Sequence, residues 1–543
     1  MLSKEARNAV GLSLKKSLVI IDEAHNIPEA LRSIHSCCLT LSIVEAAMDQ
    51  LSLYVKKYSS RLSARNLFYL GQLRRCTTSI IEYLKSKKKI DGSKHSILMS
   101  TTELLFELKL DNINLFKVDR YLERSRLPQK LIGFAAFLNQ SNMSASNLAE
   151  TTTNTKHSEH LSKHISPLSI VRNFLICLNM RSKDGKIVAE WPEHSNEEFK
   201  FESGYIPPFF RYVLLDPSSR FENVITESHA VALVGGTIRP FVHISSELLG
   251  STIPNLLEKA TEADENAGKV SSTPFSSITE YLTTFSCGHV VSPSNVFTMC
   301  VTSGPTSTKL DFRHNSRYSE KLCDELGRTL VNVCNVVPNG LVVFLPSYAY
   351  EAHLMRRWRK VGILEQIKRR KAIHREPKNS RDVDQTLTSY SLDATSEKTG
   401  GAIIFCVVGG KVSEGINFAD DMARCVFVVG LPYADITDPE LREKMQSLDR
   451  KRSNSTGISG QSYYHNLCMR AVNQSIGRAI RHSNDYAAII LADTRYVSDT
   501  RVWKSLPQWL RHGETQPKTA SSFGKLLFQL KSFFNEMKQS GSS

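Results

Sequence analysis

The chain has 543 residues, more than one hydrophobic core usually supports, so several domains are expected. Hydrophobic residues make up 41% and charged residues 23%, which is typical of a soluble globular protein, and no apolar stretch is long enough to span a bilayer. The net charge of +15 suits a polyanionic partner, with a basic surface that binds nothing as the alternative. Eleven scattered cysteines without a C-x-x-C pair are typical of reduced thiols in an intracellular protein, and the first residues lack the apolar core of a signal peptide.

The first predicted strand ends at two carboxylates. Residues 4–14 are predicted as a short helix, and Leu18–Ile21 as a strand buried on both faces of a parallel sheet. Asp22 and Glu23 follow at the carboxyl end, where open α/β sheets bind ligands. One carboxylate can hold Mg²⁺ and the other can activate a water that attacks a phosphoryl group. An ordinary strand-to-loop junction is the alternative, but the sequence Asp-Glu-Ala-His favours an ATPase.

The next segment, 39–206, is predicted to be mainly helical. Apolar residues recur at spacings of three and four over 41–58 and over 66–85. Residues 141–164 are rich in Ser, Thr, Asn and His, so a disordered loop is expected there.

Alternation of strands and helices then resumes. Residues 231–237 are predicted as a strand that ends in Gly236 and Thr237, small residues that let a backbone or phosphate approach closely, with a tight turn as the alternative. A polar linker is expected over 250–274.

The last third of the chain is predicted to form a second, doubly wound parallel sheet, because short apolar runs alternate with helical stretches. The predicted strands are 341–345, 402–408, 425–429 and 487–491, with helices such as 319–336 and 438–448 between them. Two polar segments, 378–400 and 451–461, are predicted as surface loops, and 356–371 as one basic helical segment with a largely solvated face.

Two motifs in this region carry polar groups suited to a nucleotide. A glycine-rich loop at 409–418 follows a predicted strand, which by itself is weak evidence. In the second motif, Gln474, Arg478 and Arg481 are predicted to share one stripe of a helix, opposite the apolar residues of the same segment. Two guanidiniums on one stripe can embrace a γ-phosphate, whereas the alternative is a surface helix with two solvated arginines.

Together these motifs stand in the order of helicase motifs II, III, V and VI. They are Asp-Glu-Ala-His at 22–25, Gly-Gly-Thr at 235–237, Val-Ser-Glu-Gly-Ile-Asn-Phe at 412–418 and Gln-x-x-Gly-Arg-x-x-Arg at 474–481. The chain therefore resembles the superfamily 2 DEAH-box DNA helicases with an iron–sulfur cluster, the XPD-like family. Local stretches at 111–118, 285–290 and 471–474 are most similar to its sister-chromatid-cohesion branch, the chromosome-loss helicases.

The resemblance implies an α/β fold with two RecA-like parallel-sheet domains, the first incomplete, and a mainly helical arch inserted between motifs II and III. The implied domains are a partial first RecA-like domain at 1–38, the insertion at 39–206, the remainder of the first domain with a linker at 207–285, the second RecA-like domain at 286–515, and a C-terminal helix and tail at 516–543.

The resemblance also implies ATP-driven 5′-to-3′ movement on single-stranded DNA and unwinding of forked or structured duplexes. The implied setting is the nucleus, in chromosome cohesion, replication and repair. The implied partners are single-stranded and forked DNA together with cohesion and replication-fork proteins, and no membrane.

Carried over by position, four residues would be catalytic, namely Asp22, Glu23, Arg478 and Arg481, and Gln474 would bind ATP. Asp22 would bind Mg²⁺, and Glu23 would activate the hydrolytic water. Gln474, Arg478 and Arg481 would contact the γ-phosphate of ATP.

The remaining roles concern nucleotide binding, coupling and DNA. The implied residues are Gly415 and Asn417 for ATP, His25, Gly236 and Thr237 for coupling nucleotide state to the second domain, and Ser347 for the DNA backbone.

In the family, a Walker A loop and the four cysteines of a 4Fe–4S cluster precede the DEAH strand, and this sequence has neither before Leu18. We therefore expect an N-terminally truncated chain that is inactive alone. A non-catalytic nucleic-acid-binding or cohesion-complex-binding protein is the alternative.

Overall fold

The computed structural model describes residues 1–86, 96–145, 166–179, 185–192, 207–250, 271–274, 281–396, 400–410, 418, 420–454, 458–511, 516–520 and 522–540. The chain forms two compact units. The first consists of Met1–Leu233, Ile244–Ile253 and Ile436–Ser455, and the second of Val234–His243, Pro254–Asp435 and Thr456–Ser543. Among the helices described, none is both long and apolar enough to cross a membrane.

The N-terminal half of the chain contributes ten helices and six strands to the described structure. The helices are α1 (Lys4–Ala9), α2 (Ile27–His35), α3 (Leu41–Tyr58), α4 (Ala64–Lys85), α5 (Thr101–Glu107), α6 (Leu115–Ser125), α7 (Leu127–Ala145), α8 (Pro167–Asn179), α9 (Ser218–Glu227) and α10 (Phe241–Leu249). The strands are β1 (Leu18–Ile21), β2 (Cys37–Thr40), β3 (Ser96–Ser100), β4 (Gly185–Glu190), β5 (Phe209–Leu214) and β6 (Ala230–Leu233).

The C-terminal half contributes a further ten helices and eight strands to the described structure. The helices are α11 (Glu320–Cys334), α12 (Tyr348–Lys360), α13 (Ile363–Lys368), α14 (Val383–Thr395), α15 (Pro439–Asn454), α16 (Gly460–Ile476), α17 (Arg495–Ser498), α18 (Thr500–Lys504), α19 (Gln508–Arg511) and α20 (Phe523–Ser540). The strands are β7 (Ser271–Pro274), β8 (Tyr281–Thr284), β9 (Val296–Val301), β10 (Gly340–Leu345), β11 (Ala372–Arg375), β12 (Ala402–Val407), β13 (Cys425–Val429) and β14 (Ala487–Ala492).

In the first unit, β1 and β6 form a parallel pair in which Val19 lies opposite Val231. Val19 is 2% exposed, whereas Leu18 and Ile20 are 61% and 62% exposed. One face of β1 is therefore covered and the other is open to solvent. The prediction that this strand is buried on both faces is wrong for this chain, because side chains alternate across a strand and only one of its two faces is packed.

The first unit contains an antiparallel sheet that the sequence analysis did not predict, with strand order β2-β5-β4-β3. Its strand β2 begins before the predicted insertion at 39–206, and β5 lies after it. The predicted helices at 41–58 and 66–85 are confirmed as α3 and α4. A hydroxyl side chain caps the N-terminus of each helix. Thr40 Oγ1 accepts from the N–H of Ile43 at the start of α3, and Ser63 Oγ accepts from the N–H of Asn66 at the start of α4. These helices share one buried core with the sheet, which includes Phe210.

Helix α15 packs within the first unit, although its neighbours on both sides in the chain belong to the second. Lys444 is buried, and its Nζ donates to the backbone oxygen of Leu215, directly after β5. Burial lowers the pKa of Lys444 to about 8. A second contact joins Arg211 of β5 to Glu440 at 3.1 Å. Polar contacts thus fix this helix to the end of β5.

The second unit is built on a six-stranded parallel sheet with strand order β11-β12-β10-β13-β14-β9. Every residue of β10, β12, β13 and β14 is buried, as expected for a parallel sheet covered on both faces. One core packs α11, α12, α13 and α20 against the sheet, and another packs α14 and α16. The predicted doubly wound sheet is confirmed, with β9 and β11 as strands that were not predicted.

Several local predictions in the chain are wrong. The predicted loop at 451–461 includes the end of α15 and the start of α16. The basic segment 356–371 is two helices, because Gly362 adopts a left-handed φ of +75° between α12 and α13. The predicted loop at 378–400 contains α14, and the predicted strand at 231–237 ends at Leu233. Of the predicted disordered loop, 141–145 lie in α7 and 146–164 lie outside the described residues.

Candidate functional site

The carboxylate pair lies at the carboxyl end of β1, as the sequence predicts. Asp22 and Glu23 are both exposed, and the N–H of Glu23 donates to Asp22 Oδ1 at 2.8 Å. Glu23 has φ +48° and ψ +45°, a left-handed conformation that costs a non-glycine residue roughly 1–3 kcal/mol. This turn ends the strand and leads into the short helical turn Ala24–Asn26 and then α2.

His25 lies beneath this pair and is 7% exposed. Its Nδ1 is 3.3 Å from Oε2 of Glu23, which is itself 63% exposed. The imidazole is therefore part of the interior and orients a carboxylate that faces solvent.

Asp22 fits a magnesium ion that also binds nucleotide phosphates. One of its oxygens accepts from the Glu23 N–H, and no donor among the described residues contacts the other. Such Mg²⁺ sites use one or two carboxylates together with phosphate oxygens and water.

The residues after β6 that are predicted to couple nucleotide state to the second domain lie in a turn. Gly236 and Thr237 belong to the segment Val234–His243, which packs in the second unit, whereas His25 belongs to the first. Their role in coupling stays a prediction.

The arginine motif begins in the last turn of α16 and is not helical throughout. The helix ends at Ile476, where the N–H of Gly477 donates to Asn473 O at 2.9 Å, so Arg478 and Arg481 lie in the loop beyond it. The prediction that they share one helical stripe with Gln474 is wrong.

The apolar positions of this motif behave as predicted. Val472, Ile476 and Ile480 are all buried. Gln474 and Arg478 are half-buried, and Arg481 is exposed.

The loop is held by Asp485, a buried residue that the sequence analysis missed. Its Oδ2 accepts from the N–H of Arg481 at 3.3 Å, and its Oδ1 accepts from Arg424 Nη1 and from the N–H of Tyr486, each at 2.9 Å. The guanidinium of Arg424 also lies 4.0 Å from the ring centroid of Tyr486. The helix has already ended at Ile476, and the bond to the Arg481 N–H holds the loop that follows it. The one sequence signal for the role of Asp485 was the position of this acidic residue just before the apolar strand β14.

Asp485, Asp420 and His482 form the one group of potential metal ligands found among the described residues. Both oxygens of Asp485 already accept hydrogen bonds, which does not favour a metal there. No cysteine belongs to any such group in the described part of the chain, so the cysteines present do not fit a 4Fe–4S cluster.

Ser347 has a local structural use. Its Oγ accepts from the N–H of Tyr350 at 3.2 Å and caps α12. Its predicted contact with DNA stays a prediction. Gly415 and Asn417 lie outside the described residues.

Comparisons with known proteins agree with these motifs. The family model described as helicase C-terminal domain matches residues 330–513, and the DEAD_2 model matches residues 1–44. The ATP-dependent DNA helicase chl1 of Aspergillus clavatus is 33% identical over 559 residues, covering 98% of this chain and 68% of that protein. The chain belongs to this helicase family. Its predicted membership of the XPD-like family and of the chromosome-loss branch is confirmed.

Other members of the family are similar over nearly the whole chain. The ATP-dependent DNA helicase DDX11 of Danio rerio is 34% identical over 577 residues, covering 99% of this chain and 60% of that protein. The chain thus spans about 60% of the length of that relative. The solved structure of S. tokodaii Xpd4 has a TM-score of 0.51 at 16% identity, covering 95% of this chain and 80% of that one. That likeness confirms the predicted α/β fold.

Proposed function

We propose that this helicase-family chain is the motor part of an ATP-driven DNA helicase. The observation that carries the proposal is the turn after β1, where buried His25 orients Glu23 beside Asp22 at the carboxyl end of a parallel strand. Parallel α/β sheets bind ligands at that edge. ATP is the nucleotide, and the net charge of +15 suits a DNA substrate.

Each residue has a distinct role in the proposed reaction. Asp22 would hold Mg²⁺, which would neutralise negative charge on the phosphates of ATP. Glu23 orients the attacking water and accepts its proton. Arg478 and Arg481 stabilise the negative charge that develops on the γ-phosphate, while Gln474 contacts the nucleotide. His25 and Thr237 relay the state of the nucleotide.

The finer features of the proposal follow from family membership. They are 5′-to-3′ movement on single-stranded DNA, unwinding of forked DNA, location in the nucleus, and cooperation with cohesion and replication-fork proteins. The arginine loop, held by Asp485, gives this proposal its second structural support.

The test uses the chain alone and the chain fused behind a Walker A segment of the kind that the family resemblance implies. We expect DNA-stimulated ATP hydrolysis and unwinding of a fork with a 5′ tail from the fusion, and neither from its Glu23→Gln variant. Equal turnover with and without the Glu23 carboxylate would overturn the proposed mechanism. The alternative is a non-catalytic nucleic-acid-binding protein. It would be favoured if the fusion does not hydrolyse ATP and binds DNA equally well with and without ATP.

A further inference from the structure

One end of the α3–α4 hairpin combines positive charge with exposed aromatic rings. This surface, here called the hairpin tip, consists of the last turn of α3, the turn Ser59–Arg61 and the first turns of α4. Residues 50–81 contain no aspartate or glutamate. The same stretch carries six basic residues, Lys56, Lys57, Arg61, Arg65, Arg74 and Arg75. So long a run of one sign creates a local positive field.

The cations nearest the tip are available to a partner. Lys56, Lys57, Arg61 and Arg65 are all exposed, and none forms an ion pair with a carboxylate in the described part of the chain. At the opposite end of α4, by contrast, Lys85 pairs with Glu45 at 2.7 Å. The charge at the tip is therefore not neutralised by neighbouring carboxylates.

Aromatic rings stand among these cations. Phe68, on the first turns of α4, is 60% exposed, and Phe137 of α7 is 51% exposed. Lys57 Nζ lies 3.8 Å from the ring centroid of Phe137. Phe68 packs against Tyr69, with ring centroids 5.4 Å apart. Each exposed ring therefore lies beside a cation or a second ring.

We propose that the hairpin tip binds single-stranded nucleic acid. Lys57, Arg61 and Arg65 would contact successive phosphates, and Phe68 would offer its face to an unpaired base. Proteins that bind single strands without sequence preference combine a basic track with aromatic stacking platforms in this way. An acidic protein would use the charges but has less need of an exposed flat ring.

This proposal rests on the proposed motor function and adds a second site to it. None of the residues of the hairpin tip belongs to a helicase motif. Binding at the tip requires no nucleotide. Its test is therefore made without ATP, and a failure there leaves the hydrolysis mechanism untouched.

The first experiment measures binding of fluorescent oligo-dT to the full chain by anisotropy across a range of salt. The triple variant Lys57→Ala/Arg61→Ala/Arg65→Ala should bind at least about tenfold more weakly at low salt. Its log–log salt slope should be shallower by about 2, since each lost phosphate contact to a single strand removes roughly 0.7. The control Lys525→Ala/Lys531→Ala/Lys538→Ala removes the same charge from α20 and should change neither quantity to that extent.

A single ring tests the stacking part of the proposal. Phe68→Ala should weaken binding roughly fivefold with an unchanged salt slope, because the loss of stacking releases no counterions. Phe528→Ala removes a 74% exposed ring from α20 and should have no effect.

Photo-crosslinking of 5-iodouridine oligonucleotides to the unmodified chain gives an independent readout that needs no variant. Adducts on the peptide that contains Phe68 and Tyr69 support the proposal. Equal losses of affinity in the two triple variants, or crosslinks confined to other segments, would overturn it. Displacement of the oligonucleotide from the tip by poly-glutamate at lower charge concentration would also overturn it, in favour of an acidic protein partner.

Discussion

Oε2 of Glu23 lies 3.3 Å from Nδ1 of His25, so an exposed carboxylate is tied to a buried imidazole. The left-handed backbone of Glu23 makes this contact possible, because it turns the chain directly after β1. The Glu23 carboxylate at the carboxyl end of β1 is thereby oriented by His25, which lies in the interior of the first unit.

Glu23→Gln should abolish ATP hydrolysis while ATP still binds. The amide keeps the size of the side chain but cannot accept a proton, so turnover should fall by about 10²–10⁴-fold. The measurements are steady-state hydrolysis by the active fusion and nucleotide binding at equilibrium. Glu29→Gln removes an exposed carboxylate from the next helix and should leave turnover unchanged. Normal turnover in the Glu23 variant would remove this residue from the mechanism.

Arg481→Ala and Arg478→Ala should each lower turnover strongly, by about 10³-fold, because arginine fingers act on charge that develops in the transition state. Arg370→Ala is the matched control, since Arg370 is also exposed in the second unit. We expect that control to change at most the salt dependence of DNA binding. Equal effects of the three substitutions on turnover would indicate a generic basic surface.

Lys371 should make stability depend on pH in an alkaline window. It is fully buried, its Nζ donates to Asn339 O at 2.6 Å and Gly400 O at 3.1 Å, and burial lowers its pKa from 10.5 to about 8. Between pH 8 and 10.5 the unfolded chain therefore holds a proton that the folded chain has lost. The free energy of unfolding gains up to about 1.4 kcal/mol per pH unit from this group as the pH rises.

Urea denaturation at several pH values checks this expectation. From pH 8 to pH 10 the unfolding free energy of the natural chain should rise relative to that of Lys371→Met. Below pH 8 the difference between the two chains should not change with pH. Lys531→Met, at an exposed position of α20, should show a flat difference throughout. A flat difference for Lys371→Met would mean that its ammonium is stabilised in the interior.

Gly327→Ala should destabilise the second unit although alanine favours helices. A Cβ at position 327 of α11 would lie 2.7 Å from Ile363 Cδ1 and 2.8 Å from Trp358 Nε1, which donates to Cys323 O. Overpacking of this kind costs about 1–3 kcal/mol.

Gly71→Ala provides the comparison in another helix. Nothing lies within 4 Å of a Cβ at position 71 of α4, so this variant should be about 0.5–1 kcal/mol more stable. Thermal melting of both variants shows whether each substitution raises or lowers stability. Stabilisation by Gly327→Ala would show that the Ile363 side chain moves aside at little cost.

The amino-acid sequence by itself determined the elements whose signal is local. The continuous apolar runs of β10 and β13 predicted strands covered on both faces, and every residue in them is buried. Periodic spacing likewise placed α3 and α4. The position of Asp22 and Glu23 after β1 followed from the same reasoning.

Only the tertiary structure decided how distant segments meet. The guanidinium of Arg424 donates to Asp485, which is 61 positions later in the chain, and no periodicity encodes that bond. Helix α15 packs in the first unit because Lys444 reaches the carbonyl of Leu215, which is 229 positions earlier in the chain. Local spacing sets which backbone hydrogen bonds form within an element. Side-chain packing between remote residues sets where that element lies, and it depends on the whole chain at once.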